Sequence, residues 1–222
     1  MPIRPRTDRL LHCVRWLVAM SAAVTCMHAG AAALDEDFAI AVANDRVGQV
    51  KELLARGADP NAVNAMGDPA LVVAARGGNA ATVEVLLAAK ADVNARNKFG
   101  DTAIMVAALS GNAAIVRTLR ARGANLENAG WTALIYAATG GFDAIVVYLL
   151  GEGANIDAPS PNGTTALMMA VREGKGSTVE LLIAKGADVN RRNQNGASAL
   201  AWALRGNEKK MAEQLRRAGA RE

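Results

Sequence analysis

Along this chain, short apolar runs alternate with small and polar residues in a fixed order. In GDTAIMVAALSGN, residues 100–112, a Gly-Asp-Thr start leads into seven apolar positions that stop at Ser-Gly-Asn, a pattern that predicts a short buried helix. The same order begins at Gly67 (GDPALVVAARGGN), Gly130 (GWTALIYAATGGF), Gly163 (GTTALMMAVREGK) and Gly196 (GASALAWALRGNE), at spacings of 33, 30, 33 and 33 residues. A second apolar run follows, as in TVEVLLAAKADVN and STVELLIAKGADVN, and one more unit, DEDFAIAVAND with VKELLARGADPN, lies upstream. Self-similarity at this period predicts a solenoid in which each unit contacts only its neighbours. A single unit cannot bury its apolar face, so stacking supplies the core, at about 25 cal/mol per Å² of apolar surface removed from water.

With these residues in view, the chain resembles the ankyrin-repeat family from about Leu34 to Glu222. That family's unit is a β-turn followed by two helices, with a signature Gly-x-Thr-Pro-Leu-His-x-Ala-Ala and a second helix ending in Gly-Ala-Asp-Val-Asn. Gly100, Thr102, Ile104, Ala107 and Ala108, and Gly130, Thr132, Leu134, Ala137 and Ala138, carry the first part; Gly57, Gly123, Gly153 and Gly186 carry the second. The family's Pro is replaced by Ala70, Ala103, Ala133, Ala166 and Ala199, and its His by Val72, Met105, Ile135, Met168 and Ala201, so apolar packing is expected to substitute for the bonds that His makes. The expected fold is an all-α ankyrin-repeat solenoid of six helix-turn-helix units with β-turn fingers, over about 34–66, 67–99, 100–129, 130–162, 163–195 and 196–222. Lys90 stands where the other units have Gly57, Gly123, Gly153, Gly186 and Gly219, a helix end at which the left-handed conformation is expected. The charged NEKKMAEQLRRAG predicts a polar C-terminal cap, and Phe38 and Ile40 begin an N-terminal one. Met105, Met168, Met169, Tyr136 and Trp202 fall at first-helix positions and are expected to be buried.

Residues 1–33 change the reading of charge. Arg4, Arg6, Arg9 and Arg15, an apolar run from Trp16 to Met27 and then small residues have the layout of a secretory signal peptide, with Ala-x-Ala sites ending at Ala31 or Ala33; Ala33 is preferred. Two other readings stay open. The 19 uncharged positions from Trp16 to Leu34 also fit an uncleaved anchor, and Cys26 fits a lipid-bearing cysteine. The leader has no twin-Arg pair, which favours the general secretory route and a periplasmic or secreted location. The whole chain carries a net charge of +4, but the leader holds four Arg and one Asp, so the remainder carries +1 and offers no basic stripe for nucleic acid or anionic lipid.

Both cysteines (Cys13, Cys26) and both histidines (His12, His28) lie in that leader. After cleavage no Cys nucleophile, His general base, disulfide or usual zinc ligand set remains, and a thiol-free domain suits an oxidising compartment. No cofactor, no metal and no catalysis are expected. Gly77-Gly78-Asn79 and Gly140-Gly141 read as turns between the helices of a unit rather than phosphate loops, and Asp35, Glu36 and Asp37 as a helix start.

The resemblance implies binding of another protein, by a monomer without a membrane span once the leader is removed, through the finger tips and the concave face of the first helices. Carried over position by position, the binding residues are Met66 and Asp68; Arg96, Lys98, Phe99, Asp101 and Leu109; Trp131; Arg172; and Arg192 and Gln194, with Arg76, Thr139 and Arg205 in the same helix row as Leu109 and Arg172. Met66, Phe99, Leu109 and Trp131 are apolar where a solvated loop prefers polar residues, and aromatic residues and Arg are common interface anchors. ANLENAG, 124–130, is three residues shorter than ANIDAPSPNG, 154–163, which predicts a stunted third finger and a notch beside Trp131. The implied function is an exported, non-enzymatic protein-binding scaffold; a secreted effector or toxin-associated module acting on another cell is the alternative.

Overall fold

A computed structural model describes residues 36–127 and 130–222. Residues 1–35, on which the expected leader and its expected cleavage site fall, and Asn128 and Ala129 of the third finger lie outside the described residues. Twelve helices run through the described chain: α1 (36–43), α2 (Val47–Ala55), α3 (Ala70–Gly77), α4 (Ala80–Ala88), α5 (Ala103–Leu109), α6 (Ala113–Ala121), α7 (Ala133–Gly140), α8 (Asp143–Gly151), α9 (Ala166–Arg172), α10 (Gly176–Ala184), α11 (Ala199–Arg205) and α12 (Lys209–Arg217). Among the described residues only two isolated β-bridges, Val63 with Pro69 and Arg192 with Ser198, pair extended backbone.

Helices too short to persist alone are held by stacking. The first helices α3, α5, α7, α9 and α11 pack in chain order in one layer, and α2, α4, α6, α8, α10 and α12 in another. Ala74-Ala75, Ala107-Ala108 and Ala137-Ala138 are fully buried, so the small side chains let the first helices approach closely, while Leu86, Leu119, Leu149 and Leu182 fill the layer behind them. Met105, Met168 and Met169 are core residues, as their spacing predicts. Trp202 and Tyr136 differ from expectation, being half-buried. Trp202 faces an open recess shared with Arg172, Arg205 and Glu208, and Tyr136 extends beyond the core toward the fingers, where its hydroxyl meets Asp101.

Hydrogen bonds hold the register between units. The backbone N–H of Asp92, Asn125, Asn155, Asp188 and Arg221 donates to the side chain of Asn61, Asn94, Glu127, Asp157 and Asn190 of the preceding unit, at 2.7 to 3.0 Å. At the shortened third unit the acceptor is Glu127, one methylene longer than the Asn or Asp elsewhere, and it keeps the bond at 2.8 Å. Thr82 of α4 donates to Asp45 in the turn before α2 at 2.6 Å, and Thr178 of α10 to Asp143 of α8 at 2.5 Å.

Local chemistry explains where the first helices begin and end. Thr132, Thr165 and Ser198 cap α7, α9 and α11 by accepting the N–H three residues on. At α5 the Thr102 hydroxyl has no partner among the described residues; instead its N–H donates to Met105 Sδ at 3.3 Å, so the Met in place of the family's His still supplies a weak acceptor. At Gly141 φ is 79°, and a β-carbon on Gly140 would collide with the Phe142 ring, so the Gly140-Gly141 pair is a turn requirement. Lys90 takes the left-handed conformation, φ 67°, against 88° to 97° at Gly57, Gly123, Gly153, Gly186 and Gly219. α12 buries Met211, Ala212 and Leu215 and exposes its charges, so its outer side is polar.

Candidate partner-binding face

Three of the finger loops are each built on one asparagine side chain. Asn64 Oδ1 accepts the N–H groups of Met66 and Asp68 at 2.9 and 3.0 Å; Asn97 does the same for Phe99 and Asp101, and Asn193 for Asn195 and Ala197. These local bonds compete with helix and fix a tight turn. The residue before each finger glycine is thereby pushed outward: Met66 is 61% exposed and Phe99 75%. Lys98 Nζ lies 5.2 Å from the Phe99 ring centroid. Arg96 and Arg192 are exposed on the same fingers, each with a guanidinium N–H directed at a carbonyl, of Gly100 at 3.5 Å and of Gly196 at 2.9 Å.

Below the tips the first helices present one outward position per unit, namely Arg76, Leu109, Thr139, Arg172 and Arg205. All are exposed except Thr139, which is half-buried and donates to the Ile135 carbonyl at 2.8 Å. Leu109 is 41% exposed. Arg172 Nε donates to Glu173 at 2.9 Å, and its guanidinium lies 6.0 Å from the Trp202 ring centroid.

Four of the expected site residues are engaged in holding the scaffold. Asp68 is buried rather than presented at the surface: its carboxylate receives Arg76 Nη1 at 2.8 Å and Asn97 Nδ2 at 3.0 Å, tying the first finger to its own helix and to the next finger. The bond from Arg76 holds its pKa below the usual carboxylate range against the opposing effect of burial. Asp101 is half-buried and accepts the Tyr136 hydroxyl at 2.7 Å; burial, reinforced by this carboxylate, raises the phenol above its ordinary pKa, so it stays a donor. Trp131 is half-buried and packs against Tyr136, centroids 5.7 Å apart. Gln194 is exposed but spans two fingers, its Nε2 donating to the Pro161 carbonyl at 2.7 Å and its backbone N–H to that of Asn162 at 2.9 Å.

The candidate face therefore comprises the exposed Met66, Arg96, Lys98, Phe99, Leu109, Arg172 and Arg192, with Arg76, Arg205 and Trp202 beside them and Asp68, Asp101, Trp131 and Gln194 supporting it. Tyr136 and Trp202 escape a reading by register because an apolar position in a repeat says nothing of whether a neighbour covers it. Among the described residues no group of three or more His, Cys, Asp or Glu is placed to hold a metal ion, and no helix is long and apolar enough to cross a membrane.

A search of curated proteins returned no match. Among solved structures the chain is similar to the human ASB11 ankyrin repeat domain, with 28% identity, 84% of this chain and 85% of that one covered, and a TM-score of 0.76. The family described as ankyrin repeats (3 copies) matches residues 38–129, 71–160 and 144–221. Ankyrin repeats mediate binding between proteins, and the fold is typically a non-catalytic scaffold. With matches that run from the first helix to the last and a stack of paired helices carrying fingers, the chain belongs to the ankyrin-repeat family.

Proposed function

We propose that this chain is an exported scaffold that binds another protein through its finger tips and the outward row of its first helices, without catalysis. The observation that carries this reading is the exposure of Phe99, with Met66 and Leu109 also exposed. Large apolar side chains held outward by a fixed turn, next to cations, are the composition of interface anchors. Export is supported by the signal-like residues 1–33 and by a repeat region without Cys or His.

The test places a photo-cross-linking amino acid at Phe99 in the native host and, as control, at the exposed Lys51 of α2. A discrete adduct from position 99 and none from position 51 is the expected outcome; equal labelling from both removes the finger side as the binding face. Sequencing the mature N-terminus from the periplasmic fraction is expected to begin near Leu34. A chain that retains Met1, or that only detergent extracts, ends the export reading.

A further inference from the structure

Resting on the finger side as the binding face, the chemistry of that face specifies what it binds. Four of the finger tips, 63–66, 96–99, 159–162 and 192–195, and the outward row Arg76, Leu109, Thr139, Arg172 and Arg205 carry six cations and no carboxylate, although the chain after residue 33 is nearly neutral; the third finger adds Glu127, which accepts the Asn155 N–H. Of the nearby carboxylates, Asp68 is engaged with Arg76, Asp101 with Tyr136 and Glu173 with Arg172, while Glu208 lines the recess at the C-terminal end of the row.

At the C-terminal end of the row the donors outnumber the acceptors. Val171, Arg172, Trp202, Arg205, Gly206 and Glu208 line an open recess of about 400 Å³. Arg172 is held by Glu173 through Nε and by the Trp202 ring, and both its Nη groups lack an acceptor among the described residues. Arg205 and the Trp202 indole N–H also lack partners there. A planar guanidinium with its Nη edge open matches a carboxylate.

Spacing supplies the rest. Adjacent first helices lie about 8–10 Å apart, and a peptide in the polyproline II conformation rises about 3.1 Å per residue with three residues per turn, so every third side chain faces the row and meets the next unit. We propose that the face binds an extended acidic segment of a partner protein, with two carboxylate side chains three residues apart at Arg172 and Arg205 and an apolar side chain six residues from the first of them at Leu109. Glu173 and Glu208 beside the arginines disfavour a continuous polyanion, which separates this ligand from nucleic acid and from an anionic membrane.

The experiment selects peptides from a random library of about 12 residues, long enough for this span, displayed on phage against the full chain. An end-labelled selected peptide is then titrated against wild type and variants. The expected result is enrichment of two Asp or Glu residues three apart with an apolar residue six away in either direction. Arg172→Ala/Arg205→Ala should weaken binding at least about tenfold, Leu109→Ala less, and Lys51→Ala not at all. Peptides that lack the acidic pair and lose affinity on Phe99→Ala or Leu109→Ala but not on the arginine pair overturn this inference and leave the binding face standing. Peptides insensitive to every finger-side change overturn both. Failure to enrich any sequence, or tighter binding of polyuridylate or phosphatidylserine vesicles through Arg172 and Arg205, overturns the inference.

Discussion

The buried carboxylate of Asp68 accepts Arg76 Nη1 at 2.8 Å, and through Asn97 it joins two successive fingers. Its folded pKa is lowered, chiefly by the Arg76 bond. Its contribution to stability is therefore complete above the unfolded carboxylate pKa near 3.9, and is lost as pH falls through the lower folded value. Asp68→Asn should cost about 1–2 kcal/mol at pH 7, the lower part of the range for a charged hydrogen bond because Arg76 remains half-hydrated. Urea unfolding at pH 7 and at pH 3 checks this: the gap between wild type and variant should shrink at pH 3, and a constant gap would show that the lost bond does not depend on the charge.

Lys90→Gly should stabilise the chain. Its φ of 67° is one that a side chain disfavours by roughly 1 kcal/mol, and the helix-ending bonds from Lys90 N–H to Leu87 and from Ala91 N–H to Leu86 do not involve the side chain. A rise in the melting temperature is the expected reading.

Restoring the family's proline should have opposite effects in two units. Ala70 N–H donates to the Ala62 carbonyl at 3.0 Å, closing the first finger, so Ala70→Pro breaks a bond and destabilises. Ala103 follows Thr102 at φ −101° and ψ 167°, a conformation suited to the residue before proline, and its N–H makes no backbone bond. Ala103→Pro should gain about 0.4–1 kcal/mol by restricting the unfolded chain. Chemical denaturation midpoints that move in the same direction for both would refute the distinction.

Three aromatic truncations separate surface, support and core. Phe99→Ala should change stability by no more than about 0.5 kcal/mol, while Trp131→Ala loses the packing on Tyr136 and should cost about 1–3 kcal/mol. Trp202→Ala opens onto an existing recess, so it should cost less than Leu134→Ala, whose fully enclosed side chain leaves a cavity worth about 2–5 kcal/mol. Equilibrium unfolding of the four variants gives the order directly.

The repeat spacing, the Ala pairs and the Gly-Ala-Asp endings determined the fold, because a stack of like units needs small residues at each helix contact and a left-handed residue at each helix end, requirements visible one unit at a time. Lys90 shows how far this reaches, since its positive φ followed from its register alone. The exposure of Phe99 and Met66 was legible for the same reason, as the residue before a finger glycine points away from its own turn. Only the tertiary structure decided that Asp68 is buried and paired, that Trp131 leans on Tyr136, and that Trp202 is left half open beside Arg172 and Arg205. Each depends on a side chain that folding brings within reach, from its own helix and the next finger for Asp68, from the first helix of the same unit for Trp131 and from the preceding unit for Trp202, and a contact between residues five, eight or about thirty apart is set by how fingers and helices pack rather than by the local pattern.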